Sequence, residues 1–435
     1  MNAHLLPFTD PRAAEASPPR RMVRGQGATV WDVDGHAFLD AVSGLWCASL
    51  GFAPSRLRDA AARQMDELAY YHSFMGRTCA VTDRLSRELT ALLPAGLDHV
   101  LYGTSGSEAV EAAVKLARYW QAGRGRPGKT RVIARDGGYH GSLVTSAALT
   151  SMAYCHDGFH LPADAVIRVG RPHVLRDADP GEDEQAFAAR LVAELEATIL
   201  DEGPDTICAM IAEPAMGSGG VMLPPEGYWN GVQDVLRRHD ILLIADEIIT
   251  GFGRTGRWFG CQTYGIAPDM MTLAKQLTGA VFPLSAVAMT GRIRDGIADH
   301  AHGLGTLGHG VTYGGHPVGA AVALEALAMY REMDLESHVA RMGAGLEAAM
   351  APVRALPGVL DVRRVGLMMG VELAPGHAAR AAAAAEDRGV LFRLIGDVLG
   401  IAPPYVTTDA EIARIGAVMA DAVRQTARIP KAEPA

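Results

Sequence analysis

Cysteine is scarce in this chain. The five present in 435 residues, Cys47, Cys79, Cys155, Cys208 and Cys261, are odd in number, widely spaced and without a C-x-x-C. That usage excludes a disulfide framework and reads as reduced thiols of an intracellular protein. Long apolar runs are missing too: none approaches membrane-spanning length. The N-terminal segment offers only Leu5-Leu6 before Pro7, too little for a signal-peptide core. Positive charge is in short supply, with 40 Lys and Arg against 49 Asp and Glu, a net −9. This argues against nucleic acid or an anionic membrane as partner. The doublets Arg20-Arg21 and Arg363-Arg364 read as solvated. No H-E-x-x-H occurs, and His300-Ala-His302 stands alone, so no metal site is expected. The expectation is a soluble cytoplasmic enzyme, and 49% apolar residues give it a large core with room for more than one domain.

What is present centres on Ile241 to Ala286. Ile241 to Ala245 is apolar without alternation, the pattern of a strand buried on both faces of a parallel sheet, and Asp246-Glu247 stand at its end. In open α/β sheets that end is where ligands sit. A second apolar run, Met270 to Ala274, ends in Lys275, 29 residues beyond Asp246. Each could be half of a structural ion pair, because an isolated buried charge is costly. They could also hold a nitrogen heterocycle bearing an aldehyde, the acid keeping the ring nitrogen protonated while the amine condenses with the aldehyde. That describes pyridoxal phosphate. Gly251-Phe-Gly253-Arg-Thr-Gly256 satisfies G-x-G-x-x-G after a strand, but Gly260, Gly265 and Pro268 follow where a phosphate-facing helix is required. Gly303 to Gly308 repeats the spacing with no strand before it, so neither supports a nicotinamide cofactor.

Asp246-Glu247-Ile248-Ile249, then Gly251 to Gly256, then Pro268-Asp269 ahead of Ala274-Lys275 closely resemble the class III (omega) aminotransferases. The resemblance extends from Thr29 to about Ala420. It implies that Asp246 pairs with the pyridine nitrogen of pyridoxal 5′-phosphate, that Lys275 carries the cofactor, and that Ile248 packs on one face of its ring.

Further motifs follow in order. Thr29 to Asp40 reads as a hairpin about an Asp-Gly turn, after an irregular arm to about residue 28. Helical periodicity runs over 56–93, with Leu85, Leu89, Leu92 and Leu93 on one face. Gly103-Thr-Ser-Gly106-Ser107 opens a helix: Gly106 and Ser107 are either an ordinary N-cap or an anion site, and the family resemblance assigns them to the cofactor phosphate. Tyr139, in Gly137-Gly-Tyr139-His140-Gly141, is a core tyrosine or a ring that stacks on a planar cofactor. The resemblance favours stacking, although Gly137 is smaller than the family pattern leads one to expect. Glu213 tops a strand in the same crevice, and the resemblance makes it a supporting residue that also helps hold Arg393. Read alone, Trp46 in its glycine-bounded turn is more often packing than recognition; similarity reverses that and places it on the substrate side, with Tyr70 to Phe74 across a dimer interface and Thr312 on the cofactor phosphate of the neighbouring subunit. Arg393, read inside the apolar strand Val390 to Asp397, resembles the mobile arginine that pairs with a substrate carboxylate.

The resemblance implies an α/β fold of the fold-type I pyridoxal phosphate transferases: a large domain with a mostly parallel seven-stranded sheet and a small α/β domain from both termini. The expected division is 1–55 for the arm and part of the small domain, 56–325 for the large cofactor domain, and 326–435 for the C-terminal small domain. A homodimer with shared sites, or a tetramer, is implied. The implied reaction moves an amino group from an omega-amino acid or amine to an oxo acid such as pyruvate by a ping-pong mechanism. A diaminopelargonate-type aminotransferase, and an aminomutase or decarboxylase on the same fold, are the alternatives.

Overall fold

The computed structural model describes residues 3–427; the remaining ends of the expected arm and C-terminal segment lie outside the described residues. Near the N-terminus β1 (Met22–Gln26), β2 (Thr29–Asp32) and β3 (Ala37–Asp40) form an antiparallel meander, the last two joined at Asp34-Gly35 as expected. The stretch before residue 28 is therefore not irregular throughout. It holds β1 and a short helix, Pro11–Ala16. Four of the five β1 residues are exposed, so β1 carries no apolar period to betray it. The single helix expected over 56–93 is two, Ser55–Leu68 and Ala80–Thr90. Between them Met75 and Gly76 take φ of 56° and 73° and reverse the chain.

Seven strands build the central sheet: β4 (Leu97–Gly103), β5 (Arg131–Arg135), β6 (Val166–Val169), β7 (Ile207–Ala212), β8 (Leu242–Asp246), β9 (Met270–Leu273) and β10 (Ser285–Thr290). Their order is β4-β10-β9-β8-β7-β5-β6, and β10 runs antiparallel to both neighbours while the β6-to-β9 pairings are parallel. The unalternated apolar run of β8 has a direct cause. Leu242 and Ile244 pack with the helix Gly106–Gly123 and with Ile293 and Ile297 on one face. Leu243 and Ala245 pack on the other with the helices Glu184–Glu202, Tyr228–Arg238 and Pro317–Glu332. Both faces are covered, so no position on the strand can be polar until its end.

The C-terminal part adds β11 (Val359–Val365), β12 (Met368–Leu373), β13 (Val390–Leu391), β14 (Arg393–Ile395) and β15 (Val398–Ile401). β13 joins β3 in parallel, and the others form an antiparallel sheet, β11-β12-β15-β14. The strand expected from Val390 to Asp397 thus breaks at Phe392 into two pieces that belong to different sheets. Arg393 begins an edge strand and is exposed rather than inside an apolar one.

Two sequence motifs turn out to be junctions. Within Gly251 to Gly256, Arg254 is fully buried and donates 2.7 Å bonds to the Pro403 carbonyl and to Ser43 Oγ. A Cβ on Gly366 would lie 2.4 Å from the Arg254 carbonyl, so this glycine lets the C-terminal sheet approach the motif. The Arg363-Arg364 doublet is not solvated. The Arg363 side chain is 10% exposed and bonds to Glu372 and Asp361, and Arg364 pairs with Glu347. Among the described residues no helix is long and apolar enough to cross a membrane.

Candidate active site

β8 and β9 are parallel neighbours, with Asp246 in register with Thr272, so Asp246 and Lys275 emerge from the same end of the sheet. They line a cavity of about 330 Å³ together with Gly106, Ser107, Tyr139 and Glu213, within the ~300–1,000 Å³ usual for small-molecule pockets. Asp246 is 3% exposed and held from three sides. His140 Nδ1 donates to Oδ2 at 2.7 Å, while Thr272 Oγ and the Ile248 N–H donate to Oδ1 at 3.1 and 3.2 Å. Three donors fix the plane of the carboxylate.

Lys275 opens the turn Lys275–Thr278 with φ of 49°, a left-handed conformation that costs a non-glycine residue about 1–2 kcal/mol. Its amine has no hydrogen-bond or ion-pair partner among the described residues. Burial pushes its pKa down, Arg393 pushes the same way, and Cys47, Asp246 and Glu213 push back.

Glu213 follows the end of β7 and is 3% exposed. It accepts the Tyr139 N–H at 3.1 Å and the Gly217 N–H at 2.8 Å. Burial raises its pKa, with His140 lowering it and Asp246 adding to the rise. The Tyr139 phenol is likewise pushed up by burial. The unexpected glycine before it has a local reason: Gly137 has φ of +71°, which favours glycine, and a Cβ would meet the Met216 and Met222 methyls at 3.6 and 3.5 Å.

The helix Gly106–Gly123 points its first turn at the cavity. Ser105 caps it by accepting the Glu108 N–H at 3.2 Å, and the remaining first-turn N–H groups lack intrahelical acceptors. Ser107 Oγ accepts the Ser142 N–H at 3.1 Å. A Cβ on Gly141 would sit 2.6 Å from that hydroxyl, so glycine there keeps it accessible. Ile248 closes the same corner, its Cδ1 3.0 Å from where a Gly106 Cβ would be.

The structure therefore brings together Asp246, Lys275, Gly106, Ser107, Tyr139, Glu213 and Ile248. Two expected residues, Trp46 and Arg393, lie elsewhere. Trp46 is 2% exposed, packed with Val42, Val221 and Met368 behind the wall, while its neighbours Leu45 and Cys47 face the cavity. Ser43 and Trp46 take φ of 54° and 61°, and that turn sends the indole inward. Among the described residues Arg393 forms no ion pair. It borders an adjoining hollow of about 870 Å³ with Phe8, Leu143 and Tyr154, and Glu213, its expected partner, is already occupied by two backbone N–H groups. Thr312 is exposed, outside its own chain's cavity, its carbonyl accepting the Tyr70 hydroxyl at 2.9 Å. His140 and Thr272 were not singled out from sequence. A histidine following Tyr139 in a glycine-bounded turn was the available signal for the first; Thr272, in an apolar strand, gave none.

A mostly parallel sheet that carries a buried acid and an unpartnered amine at the ends of adjacent strands, above a helix N-terminus, defines the α/β transferases of fold type I. The family model described as Aminotransferase class-III matches residues 12–423, and the chain belongs to that family. It is 42% identical over 441 residues to an uncharacterized aminotransferase of Sinorhizobium fredii, covering 97% of this chain and 94% of that protein. It is 40% identical over 435 residues to the mitochondrial gamma-aminobutyrate transaminase 1 of Oryza sativa subsp. indica, covering 97% and 84%. The structure of the omega transaminase from Pseudomonas jessenii in complex with PMP superposes with a TM-score of 0.96 at 40% identity, over 98% of this chain and 96% of that one. The protein is an aminotransferase, passing an amino group from an amine to an oxo acid.

Proposed function

We propose that this cavity binds pyridoxal 5′-phosphate and transfers the amino group of an omega-amino acid or amine to an oxo acid such as pyruvate, in two half-reactions at one site. The observation that carries the reading is the free Lys275 amine beside the triply held Asp246 at the ends of β8 and β9. The residues fit the cofactor. Ser107 and the first-turn N–H groups near Gly106 suit a phosphate, Tyr139 and Ile248 suit the faces of a ring, and Asp246 suits a protonated ring nitrogen. When bound, pyridoxal phosphate supplies an aldehyde that condenses with amines and a ring that accepts electrons.

Lys275 has two tasks here, to carry the cofactor and to move a proton. Burial lowers its pKa, which favours the uncharged form a base requires, so the amine can take the proton from the amine-bearing carbon and deliver it elsewhere. Asp246 presents its carboxylate to the cavity, and His140 and Thr272 stop it turning away. Glu213 holds the Tyr139 backbone and thereby the ring. Leu45 and Cys47 form the wall on the substrate side, with Trp46 as their backing, and Arg393 at the rim of the adjoining hollow suits a substrate carboxylate. The exposed aromatic side chains Tyr70, Tyr71, Phe74 and Tyr313, each at least 39% exposed, support a homodimer in which Thr312 serves the partner's site. We read residues 56–325 as the cofactor-binding unit and the two flanking segments as a second unit in the cytoplasm.

The test is to incubate the purified chain with pyridoxal phosphate, reduce with borohydride, and map the adduct. It is expected on Lys275. A donor panel with pyruvate, read out as alanine formed, then ranks the amines. An unlabelled Lys275, or full turnover by Lys275→Ala, overturns the proposal.

A further inference from the structure

The turn from Gly217 to Val221 touches two parts of the cavity without lining it. Its first N–H donates to Glu213 at 2.8 Å. Gly219 lies against the carbonyl of Gly137, where a Cβ would come within 2.6 Å, two residues before Tyr139. The turn is tied at its neck by paired bonds of 3.0 Å between Met216 and Met222. Its far side presents two carbonyls, Gly220 and Val221, to the C-terminal sheet.

Both carbonyls are taken by one side chain. Arg363, on β11, donates from Nη2 to Gly220 at 2.6 Å and from Nε to Val221 at 2.7 Å. Its remaining nitrogen, Nη1, bonds to Glu372 at 2.6 Å and to Asp361 at 2.9 Å. Glu372, on β12 and 2% exposed, is fixed in turn by Arg176 at 2.5 Å and lies 3.3 Å from His173. The planar guanidinium fork is thus clamped between a carboxylate anchored in the C-terminal sheet and the turn that supports Glu213. A lysine's three donors radiate from a single nitrogen and could not span the pair of carbonyls and the acids together.

We infer that Arg363 is a positioning residue for the cofactor cavity, acting through the Gly217 to Val221 turn on Glu213 and, through Glu213, on the backbone of Tyr139. What requires it is a turn whose outward carbonyls have no other donor among the described residues and whose inward N–H carries a buried glutamate. The inference rests on the reading of the cavity as a pyridoxal phosphate site.

The experiment is a titration of the apo chain with pyridoxal phosphate, following both the dissociation constant and the circular dichroism induced in the cofactor's visible band. Arg363→Met is expected to weaken binding about tenfold, ~1.4 kcal/mol, and to diminish the induced signal. Arg363→Lys is expected to fall between it and the wild type, and keeps the test open if the methionine variant fails to fold. Arg364→Met is the control: it breaks the bond to Glu347 on the same strand and is expected to lower the melting temperature while leaving affinity and signal unchanged. Because Arg363 acts through Glu213, the pair Arg363→Met with Glu213→Gln should bind no more weakly than the poorer single variant. Wild-type affinity and signal in Arg363→Met overturn the inference, as does an equal effect of Arg364→Met or a double variant whose losses multiply. A wild-type chain that binds no pyridoxal phosphate overturns the cofactor reading itself, which the variants then do not address.

Discussion

Replacing Asp246 by asparagine isolates charge from shape. Oδ1 already accepts two bonds, from Thr272 Oγ and the Ile248 N–H, and asparagine keeps that oxygen. The new amide group then faces His140 Nδ1 across 2.7 Å, and the imidazole can accept from it by taking its other tautomer. The local geometry survives, and the melting temperature should move by only a few degrees, the consequence of about 1 kcal/mol or less. What disappears is the negative charge. A hydrogen bond to a charged group is worth roughly 1.5–3 kcal/mol, and at 1.36 kcal/mol per decade its loss slows the transfer by about 10- to 160-fold, with more lost if charge accumulates on the ring as the proton leaves. The assay is the single half-reaction with excess donor, followed by the change in cofactor absorbance. Asp246→Asn is expected to bind the cofactor and to transfer slowly, whereas Asp246→Ala should also unsettle His140 and lose stability. A half-reaction within threefold of wild type would falsify the assignment of electrostatic work to this acid.

Three further outcomes follow from the same geometry. Burial holds the Lys275 pKa below its ordinary 10.5, so the unfolded chain binds more protons between the two values and stability of the apo protein should rise with pH across that window; denaturant midpoints against pH should lose this component in Lys275→Met. Ser107→Ala removes one hydroxyl from the proposed phosphate corner and should raise the dissociation constant of pyridoxal phosphate about 3- to 10-fold, equivalent to one hydrogen bond, while leaving the affinity for phosphate-free pyridoxal unchanged in equilibrium dialysis. Arg254→Met leaves the Pro403 carbonyl without its donor and Ser43 Oγ with only its bond to the Ala402 carbonyl, and a loss of about 1–3 kcal/mol is expected for the buried acceptor left unsatisfied, measured by urea unfolding.

Asp246 and Lys275 were legible because a strand with both faces covered announces itself as an uninterrupted apolar run, and the first charged residue after it marks the sheet's edge. The Gly106 turn was legible for a similar reason, a glycine and hydroxyl cluster before a periodic helix. β1 was not, since a ribbon exposed on most of its length has no period to detect. The helix break at residues 69–79 was hidden because aromatic residues continue the apolar content across it. Arg363 was misread for a different reason. Two of its four partners are backbone carbonyls some 140 residues away, and a carbonyl has no letter in the sequence; the other two, Asp361 and Glu372, are acids of the same sheet whose pairing across β11 and β12 was not read. The same limit applies to Trp46, whose inward turn depends on backbone angles rather than on residue type.

The pairing of β3 with β13 has a consequence for how the chain is made. Leu39 and Asp40 leave the ribosome long before their partners Val390 and Leu391, and at about 5–20 residues per second the wait is roughly 20–70 s. During that interval the nascent meander presents an open edge, able to recruit whatever extended segment comes near. Synthesis rate and chaperone supply should therefore govern the yield of active protein more than the stability of the finished molecule does.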